Sequence, residues 1–423
     1  MVAYRNDGEV SAEVVNPVLG QVCRRASTRA VLEIAWEGGV LRADDVMERS
    51  GLTRSTVLQA LDALSELGLI EEASTREGER GKGRPARRFR LRSQAGAIVG
   101  LEAGQRTMTV TVTDLMGAVR ASRSVDIPNA EPSHQQDPVQ RRLLARAAVE
   151  EALRDAGVGV GDVVVVGIGV PAPVDEHGRS PHGWQGFWKV MHAGLAEMFQ
   201  QEFAHVRIEN DAVLAALAEL HFGAAKQERN FVTLLAAWGI GAGVVLDGRL
   251  VRGVNGAVGE LGFFERVKGV GSSVGFHEFI EDWVRTNWRE EDLPGGHPWQ
   301  EYLRGERPRE SLLALLGEQD LVMAPLFREL VLRIGRILEF LALVYDPAVI
   351  IVAGPVARDV APVLEAVRRE LAATSGLGAL KVVASPLGGD LVSLGAAAAA
   401  REMSMASVIE WALEKQADEA ERS

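Results

Sequence analysis

The stretch NFVTLLAAWGIGAGVVLDG, residues 230–248, decides the fold of this chain. Two apolar runs flank a glycine-containing turn, a pattern that predicts a β-hairpin around Gly239–Gly243. A similar pattern occurs earlier, where the apolar run AGAIVGLEAG (95–104) precedes the alternating segment RTMTVTVTDLMGAVRASRSVDI (106–127). Alternation with a period of two is typical of half-buried strands, so we expect an antiparallel meander here.

Helices and buried strands accompany both segments. In the first half, a helix predicted over about 140–156 precedes the buried strand VVVVGIGVPAPVD (163–175). In the second half we place the strand VRIEND (206–211), its following helix, the hairpin and the buried strand AVIIVAGPV (348–356). Strands laid side by side and then alternating with helices indicate an α/β domain. Two such halves around a cleft make a domain that closes on a small ligand.

The N-terminal part of the chain has a different pattern, with three short amphipathic segments. These are STRAVLEIAWEGG (27–39), ADDVMERSG (43–51) and TRSTVLQALDALSELG (53–68), each of which ends at glycine. Thr53 is expected to cap the third helix. The alternating segment RPARRFRLR (84–92) predicts a β-wing, so the module is predicted to be a winged helix-turn-helix.

The net charge of −12 is unevenly distributed along the 423 residues. Residues 1–92 contain 15 basic and 14 acidic side chains, whereas residues 93–423 contain 31 and 44. Basic residues concentrate between Arg76 and Arg92, in and beside the predicted wing. Because phosphates attract such a local cluster, the N-terminal module is predicted to bind double-stranded DNA.

The side chains expected to contact DNA lie at the start of the third helix and in the wing. A helix N-terminus that enters the major groove presents outward side chains to base edges and phosphates, and a wing offers basic side chains to the backbone or minor groove. The predicted contacts are Arg54, Ser55, Thr56 and Gln59 on the helix and Lys82, Arg84 and Arg87 in the wing. A three-helix module that serves only for dimerisation or protein contacts is the alternative.

Composition narrows the class of protein. A hydrophobic fraction of 47% with 25% charged residues is typical of a soluble globular protein, and no apolar run is long enough to span a bilayer. The first residues lack the features of a signal peptide, so we expect a cytoplasmic protein without membrane contact. Cys23 is the only cysteine. A single cysteine excludes an intramolecular disulfide and a cysteine-built zinc site within one chain.

Residues 97–400 resemble the ROK family, which is named for repressors, open reading frames and kinases. The similar stretches, in family order, are GIGVPAPVD (167–175), IENDAVLAALAE (208–219), WGIGAGVVLDGRLVRGVNGAVGELG (238–262) and AGPV (353–356). The winged helix, with GRP at 83–85, resembles that of the family's repressor branch. The resemblance implies an α/β fold in which an N-terminal winged helix-turn-helix precedes a two-lobed actin- and hexokinase-like ROK domain.

A sugar site is predicted in this domain. Asn210 and Asp211 end a strand and Glu260 follows a glycine-rich turn, where carboxylates and amides are suited to sugar hydroxyls. The residues alone are explained equally well as helix caps and an exposed loop carboxylate. In ROK sugar kinases the matching residues bind sugar hydroxyls, with the aspartate as catalytic base, and Glu278 matches a glutamate that contacts sugar. The resemblance therefore favours Asn210, Asp211, Glu260 and Glu278 as sugar-binding residues.

Other positions depart from the family's kinases. By the resemblance, the first phosphate loop corresponds to 102–106 and contains Glu102, Gln105 and Arg106, while Trp238 replaces the threonine of the second loop. The double glycine on the adenosine side is reduced to Ala353-Gly354. Bulky side chains oppose the close approach of backbone to phosphate. The departures together predict that ATP binding and catalysis are lost and that the protein needs no cofactor.

The family's zinc motif is also missing. Its histidine position holds Phe263, and its thiolate positions hold Gly269, Gly271 and Phe276, so tetrahedral zinc cannot be built from these residues. His277 is the one candidate to replace the lost histidine, although a histidine beside aromatic residues is more often packed in the core. No metal site is predicted.

These observations predict a transcription regulator, expected to be a repressor of carbohydrate-metabolism genes, that binds operator DNA as a homodimer or dimer of dimers and responds to a sugar effector. The predicted parts are the winged helix-turn-helix over 17–92, the sensing and oligomerising ROK domain over 97–402, and a C-terminal helix or tail over 403–423. One alternative is a sugar kinase with an appended DNA-binding module. Another is a ligand-free regulator whose ROK domain only oligomerises.

Overall fold

The computed structural model describes residues 17–73, 87–128, 137–180, 186–308, 312–375, 377 and 379–422. Within these ranges the fold is mixed α/β, as predicted, and the strands form one three-stranded sheet and two five-stranded sheets. No described helix combines the length and the apolar character that a membrane crossing requires.

The N-terminal module consists of short helices and a small three-stranded sheet. The helices are α1 (Pro17–Cys23), α2 (Ala26–Trp36), α3 (Ala43–Ser50) and α4 (Arg54–Glu66), and the strands are β1 (Leu41–Arg42), β2 (Ile70–Glu72) and β3 (Arg88–Leu91). β3 lies between β1 and β2 and is antiparallel to both. The Thr53 side chain accepts a hydrogen bond from the backbone N–H of Thr56, so the predicted cap of α4 is confirmed.

The first lobe is built on a five-stranded sheet with the order β6-β5-β4-β7-β8. Its elements are β4 (Ala97–Ala103), β5 (Thr107–Asp114), β6 (Val119–Asp126), α5 (Pro138–Ala156), β7 (Val163–Val170), α6 (Phe187–His192), α7 (Leu195–Phe199), β8 (Val206–Asn210) and α8 (Asp211–His221). β4, β5 and β6 form the predicted antiparallel meander. β7 and β8 continue the sheet in parallel with β4, and β7 is buried along its whole length.

The second lobe repeats this topology in the order β11-β10-β9-β12-β13. Its elements are β9 (Phe231–Ala236), β10 (Ile240–Leu246), β11 (Arg249–Leu250), α9 (Phe276–Asn287), α10 (Pro298–Leu303), α11 (Leu312–Leu315), α12 (Ala324–Tyr345), β12 (Val349–Ala353), α13 (Ala361–Thr374) and β13 (Lys381–Ala384). The predicted hairpin is present, and its turn at 237–239 includes Gly239, whereas Gly241 and Gly243 lie in β10.

One helix, α14 (Leu391–Arg422), joins all three parts of the molecule. Its first half packs on β4 and β7 and also on α8, which in turn packs on β9 and β10. The two helices therefore lie between the two sheets. The second half of α14 enters the core of the N-terminal module, where Val408, Ile409 and Leu413 pack with side chains of α2 and α4.

Two predicted boundaries change in the structure. β8, which we placed in the second half, pairs with β7 in the first sheet, with Val170 beside Asn210. The boundary drawn at 403 falls inside α14, because an Ala-rich helix continues through it without a break. The sequence pattern did not show that the two halves of this helix bury themselves against different modules.

Close contact between α14 and the first sheet depends on glycine. A Cβ added to Gly100 on β4 would fall on the carbonyl oxygen of Ser393, and one added to Gly167 on β7 would fall on that of Ala396. Both are backbone atoms of α14, so neither clash is relieved by rotating a side chain. Only glycine at these positions allows helix and sheet backbones to approach this closely.

We expect Gly100→Ala to lower the free energy of unfolding by about 1–3 kcal/mol or more, since the added methyl group meets helix backbone. Gly161→Ala is the matched control, because an added Cβ there has no neighbour within 4 Å. Urea unfolding of both variants checks this, and equal stabilities would contradict the packing argument.

Candidate functional site: a polar cleft between two lobes

A cavity of about 340 Å³ opens between the two lobes. It lies at the carboxyl ends of β4, β8, β9 and β12, the edge at which α/β sheets commonly bind ligands. All four predicted sugar-binding residues, Asn210, Asp211, Glu260 and Glu278, line it. The structure therefore brings together side chains that are up to 68 positions apart in the sequence.

Asn210 has a structural contact and a cavity contact at the same time. Its Oδ1 accepts a hydrogen bond from the backbone N–H of Val213 at 3.1 Å and so caps α8. Its Nδ2 donates to the carbonyl oxygen of Ala172 at 3.1 Å and to Glu260 Oε1 at 3.4 Å. The cap fixes the side chain, and the amide faces the cavity carboxylate.

The segment that leads to Glu260 is tied to β8 by an ion pair that the sequence analysis missed. Glu209 in β8 is buried, and its Oε2 accepts a hydrogen bond from Arg252 Nε at 2.7 Å. This ion pair ties β8 to the segment that leads to Glu260. Gly241 and Glu260 also form an isolated antiparallel bridge. A glutamate near the end of an otherwise buried strand was the available signal.

Arg141 in α5 fixes the first-lobe wall of the cavity. Its side chain is 1% exposed, NH1 donates to the carbonyl oxygen of Gly104 at 2.7 Å, and Nε donates to that of Met191 at 3.2 Å. A further hydrogen bond reaches the carbonyl of Ala103. Burial lowers its pKa to about 10, which leaves it charged at neutral pH. The end of β4 and the end of α6 are thereby joined.

The acidic side chains in the cleft are harder to ionise than free carboxyls. Burial, with the nearby charges of Asp211 and Asp390, raises the pKa of Glu102 to about 8. Burial raises the pKa of Asp211 to about 7, although the N–H of Ala212 donates to it at 2.7 Å. Burial and the charge of Asp211 raise the pKa of Glu260 to about 7. A ligand with many hydroxyl groups suits these side chains, because carboxyl and carboxylate both hydrogen-bond it.

Arg106 and Trp238, which the sequence analysis aligned with the family's phosphate loops, contact each other across the cleft. Arg106 lies between β4 and β5 in the first lobe, and Trp238 lies between β9 and β10 in the second. The guanidinium carbon of Arg106 is 4.4 Å from the centroid of the Trp238 ring, a cation–π distance. A bulky contact therefore stands between the two glycine-bearing turns.

The predicted DNA-contacting residues that the structure describes lie on the surface of the N-terminal module. Arg54, Ser55 and Gln59 are exposed at the start of α4, and Thr56 is half-buried. Arg54 pairs with Asp44, and Gln59 Oε1 accepts a hydrogen bond from Arg25 NH1 at 3.0 Å. Arg87 pairs with Asp62 and Glu72 beside β3. Lys82 and Arg84 lie outside the described residues.

Comparison with known families agrees with this geometry. Residues 98–284 match the ROK family. The matched range covers the first lobe and the second as far as α9, and the winged helix precedes it along the chain.

Known proteins similar to this chain include regulators and a kinase. The xylose repressor of Bacillus spizizenii is 25% identical over 240 residues, which are 56% of this chain and 60% of that repressor. A solved ROK family transcriptional regulator, described as a homologue of the Escherichia coli MLC protein, has a TM-score of 0.67 at 21% identity and covers 94% of this chain and 99% of its own. The ROK hexokinase of Thermus thermophilus has a TM-score of 0.50 at 26% identity over 71% of this chain and 97% of its own.

The zinc position of the ROK domain does not fit a metal in this chain. Phe263 is 46% exposed and packs with Phe264 and Phe340 at centroid distances of 4.7 and 5.2 Å, away from the cavity lining. Phe263, which occupies the family's histidine position in the sequence, therefore does not line the cavity. His277 lines the cavity instead. Among the described residues, no group of three or more His, Cys, Asp or Glu is placed to hold a metal.

The raised pKa values predict the pH dependence of stability. Because these carboxyls stay protonated in the folded protein where the unfolded chain is ionised, their stabilising contribution is complete below about pH 4 and is lost as the pH rises through about 7 to 8. We expect the free energy of unfolding to fall by more than about 1.4 kcal/mol between pH 6 and pH 9, and to fall less in Glu102→Gln. Urea titrations of both proteins, with the exposed Glu176→Gln as control, check this. Identical pH profiles for all three would contradict the assignment.

Proposed function

We propose that this protein is a sugar-responsive transcription regulator that binds operator DNA through its winged helix. The observation that carries the proposal is the path of α14, which runs from the lobes beside the cleft into the core of the N-terminal module. The matched part of the xylose repressor spans about 60% of its length, so its activity is a guide for this chain and its sugar is not carried over.

Ligand binding in the cleft is placed to reach the DNA-binding surface through packed helices. Asn210 caps α8, and Gly395 of α14 lies so close to α8 that an added Cβ would fall on the carbonyl oxygen of Leu214. Farther along α14, Arg401 donates hydrogen bonds to the carbonyl oxygens of Leu115 at 2.9 Å and Trp36 at 3.2 Å. A movement of α8 on ligand binding would therefore shift α2 and the helix-turn-helix attached to it.

In a homodimer this shift would change the separation of the two recognition helices. Half-sites about 10 base pairs apart, or a multiple of that spacing, fit a dimer only at matching geometry. DNA affinity would then depend on the ligand through a coupling free energy between the two sites. We infer a repressor of carbohydrate-metabolism genes that acts as a homodimer or dimer of dimers.

The domain is proposed to sense sugar without phosphorylating it. The Arg106–Trp238 contact supports this, because it places two large side chains where a kinase needs open backbone for phosphate. A sugar kinase is the second candidate, since Asp211 remains at the α8 N-terminus in the cleft, positioned as a catalytic base would be.

We expect Arg54→Ala to weaken binding to a DNA duplex selected from a random library by about tenfold or more, because the exposed start of α4 contacts the groove. The control is Arg369→Ala on α13, which removes a similar exposed ion pair with Glu318. Fluorescence anisotropy at fixed salt gives both affinities. Unchanged affinity in Arg54→Ala would contradict the assignment of α4 as recognition helix.

A thermal-shift screen of hexoses, pentoses and N-acetylhexosamines tests the sensor. We expect a sugar that raises the melting temperature of the wild type to have little effect on Asp211→Asn or Glu260→Gln, with Glu176→Gln as the surface control. The same sugar should alter DNA affinity. No response to any sugar would contradict the sensing role while leaving DNA binding intact, and ATP consumption abolished by Asp211→Asn would establish the kinase instead.

A further inference from the structure

Residues 269–276 form a segment at the cleft, here called the cap segment, which coincides with the position of the missing zinc motif. Its backbone follows the turn between β9 and β10: the N–H of Ile240 donates to the carbonyl of Ser273 at 3.0 Å, and the N–H of Gly275 donates to that of Trp238 at 2.6 Å. Gly239 and Val274 form an isolated antiparallel bridge. The cap segment leads directly into α9, whose first turn carries Glu278.

A buried arginine on another helix holds this segment. Arg333 of α12 is 1% exposed, and its NH2 donates to the carbonyl of Val274 at 2.6 Å and to the carbonyl and Oγ of Ser272 at 3.1 and 3.2 Å. The guanidinium carbon lies 4.5 Å from the ring centroid of Phe279 on α9. One side chain therefore contacts both the cap segment and the helix that follows it.

The charge of Arg333 is retained inside the lobe. Burial lowers its pKa to about 10, and the charges of Glu329 and Glu278 oppose that change, so the guanidinium is protonated at neutral pH. Its Nε and NH1 are buried without hydrogen-bond partners among the described residues. A buried cation with unsatisfied donors is costly for stability, and the hydrogen bonds from NH2 to residues 272 and 274 offset part of that cost.

We propose that Arg333 is the group that fixes the cap segment, at the place where the sequence lacks the family's zinc ligands, and that it is a positioning residue for Glu278 and Trp238 in the cleft. A cation bound to main-chain carbonyl oxygens cross-links the segment to α12, as a metal would through thiolates. This role deepens the proposed sugar site and rests on it only where ligand affinity is concerned. The structural part stands independently.

Amide hydrogen exchange of the full-length protein tests the structural part without any ligand. Arg333→Met keeps an unbranched, flexible side chain, shorter than that of arginine, and removes the charge and the hydrogen bonds. In Arg333→Met we expect the amides of 238–241 and 272–276 to exchange at least tenfold faster than in the wild type. Arg333→Lys keeps the charge but lacks the planar fork, so its exchange rates should lie between those of the wild type and Arg333→Met. Arg328→Met, at an exposed position of α12, is the matched control and should exchange as the wild type does.

The exchange experiment and a metal analysis can each overturn the structural part of the proposal. Exchange in Arg333→Met that is unchanged in these segments, or accelerated equally throughout the second lobe, would make Arg333 an ordinary core residue. Stoichiometric zinc in the purified wild type, or a melting temperature lowered by a chelator, would show that a metal is still used. We expect neither.

The sugar identified by the thermal-shift screen adds a functional readout. Arg333→Met should weaken its binding at least tenfold while the affinity of the unliganded protein for DNA stays unchanged. If no sugar binds the wild type, the proposed sensing function fails, and the exchange experiment still decides the role of Arg333. Wild-type sugar affinity in Arg333→Met would overturn the positioning role even if exchange increased.

Discussion

The backbone of α14 lies directly on the backbones of β4 and β7 because Gly100 and Gly167 carry no side chain, and the rest of the architecture follows from this contact. The same helix accepts α8 at Gly395, so the two sheets are joined through a pair of helices with almost no side-chain volume between them. Interiors packed this closely transmit displacements instead of absorbing them. The winged helix packs on the C-terminal half of α14.

The cleft combines rigid supports with unusual electrostatics. Glu209 with Arg252 fixes the Glu260 side, Arg141 fixes the end of β4, and Arg333 fixes the cap segment. Between these supports lie carboxyls whose pKa values are raised by burial and by one another. Each support is a guanidinium that donates to a carboxylate or to main-chain carbonyl oxygens. In this domain arginine provides the cross-links around the ligand site.

The departures from the ROK kinases form a connected set in space. The sequence analysis aligned Arg106 with one phosphate loop of the family and Trp238 with the other, and the two side chains touch. The main-chain carbonyl of Trp238 also accepts a hydrogen bond from the cap segment, which Arg333 contacts from its other side. Positions that are far apart in the sequence thus lie in one continuous region beside the cleft.

The sequence by itself determined the winged helix, the α/β class, the repeated meander and the four polar residues of the cleft, because each depends on local periodicity, capping or a short motif. Thr53 and the buried strand β7 are examples. The pairing of β8 with the first sheet, the contact of Arg106 with Trp238, and the shared helix α14 were decided by tertiary structure. Each of these three features brings together residues that are distant in the chain. Their contacts depend on how whole helices and strands pack, which local sequence patterns do not specify. The role of Arg333 was not predicted for the same reason, because the position of an arginine in an amphipathic helix does not indicate which main-chain carbonyl oxygens it will contact.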